Sequence, residues 1–342
     1  MNKSQKIKLS VVDQSPIRKE SKPSESLKES VKLAQFTEAL GFARYWVSEH
    51  HNSSSFSGTS PEILIGQIAS ATKQIRIGSA GVMLSHYSPL KIAEEFKMLD
   101  VFYPDRIDLG IGRAPGTDRI TTQALNYPKG IINVQNEFPQ MVKDLIGFTS
   151  NTLDKNHQFN QINVSPGIPE ETFPEIWLLG SSDYSARLAA ELGLPFSFAD
   201  FFGHTNHIGP NIAKIYREEF KPSKFLLQPK LNVTLQIICA QSEEKAKYIS
   251  SSRNFNKIVS SMGSKTYGFI NPEDASNWIS NQNIENQIDY FTKGYIDGNP
   301  KQVKEKILES SENYETYDIG IVSNCYYFTD RKTSYELISQ LF

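Results

Sequence analysis

The sequence predicts an α/β chain folded as a (β/α)8 TIM barrel with insertions. Three observations carry that prediction. Eight apolar, β-rich runs recur along 342 residues, most followed by a segment of helical periodicity, the alternation that builds parallel strands. The length exceeds that of one ordinary domain and suits a barrel with insertions. Finally, the run Tyr45-Trp46-Val47-Ser48 ends in Glu49-His50-His51 and enters the loop Ser53-Ser54-Ser55-Phe56-Ser57-Gly58. Ionisable groups therefore stand at the C-terminal end of a buried strand, where barrels place their chemistry.

The first strand is Ile7 to Asp13. Ser24 reads as the N-cap of a helix whose Leu27, Val31, Ala34 and Glu38 share one face, widened by Leu33 and Leu40 and stopped by Gly41. Arg44 to Glu49 is the second strand. Pro61, at a first-turn position, opens a helix to Thr72. Ile75 to Leu84 is the third strand, Pro89 to Phe102 a helix, and Arg106 to Gly112 the fourth strand. The polar stretch from Thr117 to Pro169 is weakly patterned and shows one helix, near Val134 to Gly147. The fifth strand, Ile176 to Leu179, is followed by a helix from Ser185 to Leu192. Pro195 to Ala199 is the sixth strand, Ile212 to Phe220 a helix, Leu231 to Ala240 the seventh strand and Asp318 to Ser323 the eighth. The whole chain, 1–342, reads as one barrel domain. An insertion at about 250–297, where Phe255 to Ile296 breaks the rhythm, precedes a return helix at Pro300 to Ser311.

Composition narrows the function. A formal net charge of −2 gives no global field favouring nucleic acid or anionic lipid. Cys239 and Cys325 both fall in apolar strand-like runs and read as buried thiols of a reducing compartment. Met1 to Lys8 is polar and basic without a signal-peptide core, and no apolar run approaches bilayer length, so a cytoplasmic location and no membrane partner are expected.

Four motifs carry candidate chemistry. Leu109-Gly110-Ile111-Gly112-Arg113-Ala114-Pro115-Gly116 is one residue too long for a dinucleotide fingerprint and follows the fourth strand rather than the first. Its glycines would let a flat ligand approach the backbone, with Arg113 supplying charge. In Leu178-Leu179-Gly180-Ser181-Ser182-Asp183-Tyr184-Ser185 a strand ends where a helix begins. Free N–H groups and three hydroxyls make an anion site there, which Arg113 from the adjacent strand would complete, unless Ser182 or Asp183 merely caps the helix. His50 and His51 point to opposite faces of a regular strand, so they do not chelate one metal, and no metal site is expected. One of them beside Glu49 would serve as acid, base or hydrogen-bond donor. In Ile77-Gly78-Ser79-Ala80-Gly81-Val82-Met83-Leu84, small residues interrupt a buried strand, marking either tight packing or a gap for a planar ring.

Together these segments resemble the bacterial luciferase-like flavin-dependent monooxygenase family. The resemblance rests on Tyr45-Trp46-Val47-Ser48-Glu49-His50-His51, on Ile75-Arg76-Ile77-Gly78-Ser79-Ala80-Gly81-Val82-Met83-Leu84, and on Pro104-Asp105-Arg106-Ile107-Asp108-Leu109-Gly110-Ile111-Gly112-Arg113. It rests also on Gly180-Ser181-Ser182 with Ala189-Ala190-Glu191-Leu192-Gly193-Leu194-Pro195, and covers most of the chain in the family's order. Within that family the chain is most similar to the single-chain oxidoreductase branch that opens with Asp13-Gln14-Ser15-Pro16. The resemblance implies reduced FMN and O2 as reactants, a separate flavin reductase, a small-molecule substrate and a homodimer. Its alternatives are F420-dependent hydride transfer on the same fold, or a non-catalytic flavin-binding protein. By position it implies His50 as the active-site histidine with Glu49 beside it, a non-proline cis peptide at Ala80–Gly81 under the flavin ring, and phosphate contacts from Arg113, Ser181, Ser182 and Ser185. Gly112 stands where light-emitting members have a reactive Cys, and Asp200 where they have an aromatic residue near the flavin, departures that argue against luminescence.

Overall fold

Eight parallel strands close on themselves. In chain order the strands are β1 (Lys8–Asp13), β2 (Arg44–Val47), β3 (Arg76–Ser79), β4 (Val82–Met83), β5 (Ile107–Gly112), β6 (Glu175–Gly180), β7 (Phe196–Ala199), β8 (Leu231–Cys239), β9 (Ile296–Gly298) and β10 (Asp318–Val322). Neighbours run β10-β1-β2-β3-β5-β6-β7-β8, and β8 pairs β10 to complete the ring, while β4 and β9 add short pairings at the rims of β5 and β8. The helices are α1 (Pro23–Ala39), α2 (Pro61–Ala71), α3 (Pro89–Phe102), α4 (Arg119–Leu125), α5 (Val134–Thr149), α6 (Asp183–Leu192), α7 (Gly209–Glu218), α8 (Glu243–Ser261), α9 (Pro272–Asn281), α10 (Ile288–Phe291), α11 (Pro300–Tyr314) and α12 (Phe328–Ser339). This computed structural model describes residues 6–130, 134–166, 173–203, 205 and 207–342. The expected polar leader at 1–5 and parts of the weakly patterned stretch, 131–133 and 167–169, lie outside the described residues.

Strand alternation separates two interiors. Tyr45, Val47, Leu109, Ile111, Phe196 and Phe198 face the helices and join the large outer core. Val12, Trp46, Trp177 and Val322, with Ala80, Leu179 and Phe201, fill the barrel. Below them lies a charged floor. Asp108 receives Arg76 Nη2 at 2.5 Å and Trp46 Nε1 at 2.8 Å, and Arg44 reaches Asp318 at 2.6 Å while its guanidinium lies 4.9 Å from the Trp177 ring. This floor sits at the N-terminal end of the barrel, the stabilising end of such folds.

The structure revises several boundaries. The single third strand expected at 75–84 is two, β3 and β4, separated by a cis Ala80–Gly81 peptide. The stretch from Thr117 holds two helices rather than one: α4 is also present, and Asp118 accepts the Thr121 N–H at its start. Its seven polar-rich residues bury none of their side chains, so hydrophobic periodicity could not reveal it. Helix α1 starts at Pro23, with Lys22 rather than Ser24 in the capping position. Helix α8 continues to Ser261 across the point where the rhythm was expected to break, because Arg253 within it is buried against Asp297 at 2.5 Å.

Candidate active site

The C-terminal strand ends form the candidate site. The inward positions of β2 are Arg44, Trp46 and, beyond the strand, Ser48 and His50. His50 Nδ1 lies 3.2 Å from Ser48 Oγ, and that hydroxyl donates to the Asp13 carbonyl at 3.3 Å. With the serine proton donated to the Asp13 carbonyl, Nδ1 carries the imidazole hydrogen and Nε2 is the basic nitrogen. The ring stacks on Phe56 at 4.7 Å, and Phe56 meets Phe269 edge-on at 5.8 Å. Phe269 is itself pinned by backbone bonds to Ile17 and Lys19, so the segment after α8 closes over the loop that follows β2.

Burial pushes the His50 imidazole down to about 4, against the opposing pull of Glu49. It is therefore neutral at pH 7. Because the folded-state value lies below the ordinary one near 6.5, protonation favours the unfolded chain, and stability is lost as pH falls from about 6.5 towards 4. A proton NMR titration of the His50 ring should give a midpoint near 4; a midpoint near 6.5 would contradict this environment.

Glu49 faces the other way, which corrects its expected pairing with His50. Its carboxylate accepts from His51 Nε2 at 2.7 Å, from the Tyr87 hydroxyl at 2.7 Å and from the Met83 N–H at 2.9 Å. Glu49 is a brace, tying the end of β2 to β4 just beyond the cis peptide. His86 extends the brace, its Nε2 donating to the Pro115 carbonyl at 2.8 Å and its Nδ1 accepting from Asn126 Nδ2 at 3.0 Å. Sequence reasoning missed His86, Tyr87 and Asn126. Strand alternation was the signal that Glu49 and His51 would share a face opposite His50.

On the far side of the mouth lie the residues of the expected anion site. Gly112 is in register with Leu179, which sets Arg113 beside Gly180. The Arg113 guanidinium lies 4.3 Å over the ring of Tyr184, in the first turn of α6. Ser182 occupies the capping position of α6, its side chain making no cap bond. The first-turn N–H groups remain available to an anion, whose charge the helix dipole and Arg113 would favour. Ser181 and Ser182 are half-buried at this turn, whereas Ser185 is buried under Gly180, where a Cβ would come 2.4 Å from Ser185 Oγ.

Of the two readings of the Ile77–Leu84 run, the glycines fit tight packing, and the expected place of Asp200 changes. A Cβ on Gly78 would meet the Asp108 carbonyl at 2.4 Å and one on Gly81 the Gly110 carbonyl at 2.7 Å, so these glycines serve close strand packing rather than a gap. Gly112 does leave room, its nearest neighbour being Met83 Sδ at 3.5 Å. Asp200 does not face the mouth: it accepts from Thr205 Oγ1 at 3.2 Å and lies against Tyr314, while Phe201 takes the inward place beside the tryptophans. A cavity of about 900 Å³ lined by Ser250, Asn254, Ser280, Asp289 and Lys306 lies among the helices after β8 and carries none of these strand-end groups. Among the described residues there is no cluster of three potential metal-ligating side chains, and no helix is long and apolar enough to cross a membrane.

The barrel that carries these groups is shared with known enzymes. The family model for luciferase-like monooxygenases matches residues 7–313, and the chain belongs to that family. An uncharacterised Bacillus subtilis (strain 168) protein, YwcH, is 39% identical over 336 residues, spanning 98% of this chain and 99% of its own. The N-acetyl-S-alkylcysteine monooxygenase of the same organism is 32% identical over 335 residues, 97% of each. The crystal structure of apo-MsnO8 superposes with a TM-score of 0.87 at 31% identity, covering 98% of both chains. The fold is shared more distantly with the FMN-bound oxygenating constituent of 3,6-diketocamphane monooxygenase (TM-score 0.71, 18% identity, 98% and 97% covered) and an F420-dependent secondary alcohol dehydrogenase (0.66, 15%, 98% and 99%).

Proposed function

We propose that this chain oxygenates a small organic substrate with reduced FMN and O2, the flavin being reduced by a separate enzyme and reaching the barrel by diffusion. The observation that carries the reading is the meeting of Arg113 with the uncapped start of α6, across the mouth from His50. The residues fit a flavin phosphate: a guanidinium, open N–H groups and two half-buried serines converge, and Gly112 leaves space beside them. Arg113, Ser181 and Ser182 would hold the phosphate, with Ser185 supporting the turn from beneath. When bound, reduced FMN supplies the two electrons with which O2 is activated. His50 Nε2 accepts or returns a proton at the mouth, and the Phe56–Phe269 cover keeps water away from it. The name of the Bacillus subtilis relative makes S-alkyl thioethers a first substrate class to test.

The deciding experiment is anaerobic titration with reduced FMN followed by stopped-flow mixing with O2. Tight binding and an oxygen reaction altered from that of free flavin are expected. Preference for F420 would overturn the reading in favour of hydride transfer, and binding of flavin with no turnover of any substrate would favour a carrier. Arg113→Ala should weaken FMN binding by about 2 kcal/mol, roughly thirtyfold, the loss of a charge-assisted contact. Unchanged affinity would remove Arg113 from the phosphate site.

We also infer a two-fold homodimer. On α2 and α3 the apolar side chains Ile63, Met98 and Phe102 are 68%, 54% and 66% exposed, more than isolated surface hydrophobes require. Light scattering at micromolar concentration should give twice the chain mass, and Phe102→Glu should shift it towards one. A wild-type monomer would refute the pairing.

A further inference from the structure

The quarter of the mouth formed by β8, β10 and β1 carries polar groups that the site described above does not use. Gln236 on β8 is in register with Val322 on β10, and Val322 packs into the barrel interior with Val12, Trp46 and Trp177. Gln236 therefore sits at the level of the highest packed layer, facing inward. Two residues beyond Val322 stands Asn324, and two beyond Val12 stands Gln14, each on the same inward face one level higher. Their side chains meet: Asn324 Nδ2 donates to Gln14 Oε1 at 2.6 Å, while Ser323, on the opposite face, turns outward to Ser334.

This arrangement leaves two buried atoms without partners among the described residues. Gln236, 3% exposed, has an unpaired Nε2; Asn324, 4% exposed, has an unpaired Oδ1. The bond to Gln14 fixes which Asn324 atom is free. Buried polar atoms are nearly always satisfied, and an unsatisfied one carries a penalty that a ligand can remove. The free pair is one donor below one acceptor, separated along the barrel by two strand residues, about 7 Å. Both are uncharged. His50, beyond the end of β2, is neutral at pH 7.

We propose that Gln236 and Asn324 form the substrate's recognition subsite and select an uncharged secondary amide, whose carbonyl accepts from Gln236 Nε2 and whose N–H donates to Asn324 Oδ1. The inference rests on the reading of the mouth as an oxygenation site, with the anion-binding quarter of β5 and β6 reserved for the flavin. A secondary amide fits because it carries one acceptor and one donor on opposite edges. Two hydrogen bonds of about 2.9 Å with an amide between them span about the separation of the two levels. An ester offers only the acceptor and would leave Asn324 Oδ1 buried and unpaired. A carboxylate would bring a charge to a surface with no cation to receive it. The half-buried Gln14 completes the wall and leaves the rest of the substrate directed up towards His50.

The test compares N-hexylacetamide with hexyl acetate, near-isosteric probes that differ in the N–H. Calorimetric binding to the purified full chain, with and without bound FMN, should favour the amide about tenfold or more, since a site built to bond a polar hydrogen rejects the analogue lacking it. Asn324→Leu should abolish that preference by weakening the amide alone. Gln236→Leu should weaken both probes, which share the carbonyl. FMN affinity should remain within about twofold in each variant. Equal binding of the two probes to the wild-type chain would overturn the proposal without recourse to any variant. So would a parallel loss of FMN affinity in Asn324→Leu and Gln236→Leu, which would assign these amides to the flavin ring. If FMN fails to bind while the amide preference holds, the oxygenase reading falls and the amide subsite stands.

Discussion

His50→Ala binds FMN with near-normal affinity and loses about a hundredfold or more in flavin-dependent substrate oxidation, corresponding to about 2.7 kcal/mol of transition-state stabilisation. The expectation follows from placement. The imidazole contributes only one hydrogen bond to the frame, at 3.2 Å to Ser48, and stacks on Phe56, itself part of the cover rather than the barrel wall. Its removal leaves β2 paired on both sides through Arg44 to Val47. Nε2 is the basic nitrogen, and burial keeps it unprotonated over the whole neutral range. The pH profile of oxidation should therefore lack a His50 ionisation between pH 6 and 8 in the wild-type enzyme. His50→Gln should recover part of the rate if a hydrogen bond suffices and none if a proton must move. Stability and FMN binding falling together, with the folded remainder turning over at the wild-type rate, would show that His50 only packs.

Asp13→Ala destabilises the fold by about 3 to 5 kcal/mol, the expected result of stripping one partner from a buried ion pair. Asp13 Oδ1 accepts from Arg331 Nη2 at 2.6 Å and from the Ser15 N–H at 2.7 Å, and Oδ2 accepts from Tyr45 at 2.5 Å. Arg331, from α12, also donates Nε to the Ser323 carbonyl at 2.8 Å. The cluster locks the first and last barrel strands to the final helix. Burial alone would raise the Asp13 carboxyl, but the Arg331 guanidinium and the Ser30 and Tyr45 hydroxyls hold it below the usual carboxylate range. A depressed folded-state value means that the unfolded chain binds the proton first. The contribution is complete above the unfolded carboxylate value near 4 and is lost as pH falls through the folded one. Urea unfolding of Asp13→Ala and wild type at pH 7 and at about pH 2.5 should show the gap narrowing at the lower pH. Asp13→Leu combined with Arg331→Met should cost less than either single change, because no charge is then left buried alone. A single-variant loss below about 1 kcal/mol would contradict this role.

Most of the barrel was legible because its strands are local patterns. Apolar runs such as Arg44 to Val47 and Leu231 to Cys239 announce themselves without knowledge of their neighbours. The anion site was legible for a similar reason: Gly112-Arg113 and Gly180-Ser181-Ser182 are short motifs on strands that a parallel barrel makes adjacent. The place of the break between β3 and β4 was marked by the small residues Gly78-Ser79-Ala80-Gly81 and by the cis peptide that the resemblance implied at Ala80–Gly81; the division into two strands was not. Helix α4 escaped because it buries no side chain and so has no apolar stripe to read.

The sequence by itself determined the alternation of strands and helices, the family resemblance, His50 at a strand end and the short motifs Gly112-Arg113 and Gly180-Ser181-Ser182. These are properties of windows of a few residues, where side-chain period and backbone propensity decide the outcome. Only the tertiary structure decided partners distant along the chain. Closure of β8 onto β10 sets Gln236 beside Val322, one level below Asn324, and α12 brings Arg331 to Asp13 across 318 positions. Alternation along the chain turns Glu49 away from His50, but only packing brings Tyr87 and Met83 within its reach. A carboxylate's partner is fixed by which groups the packed elements place within hydrogen-bond reach, and ring closure, not local periodicity, fixes that.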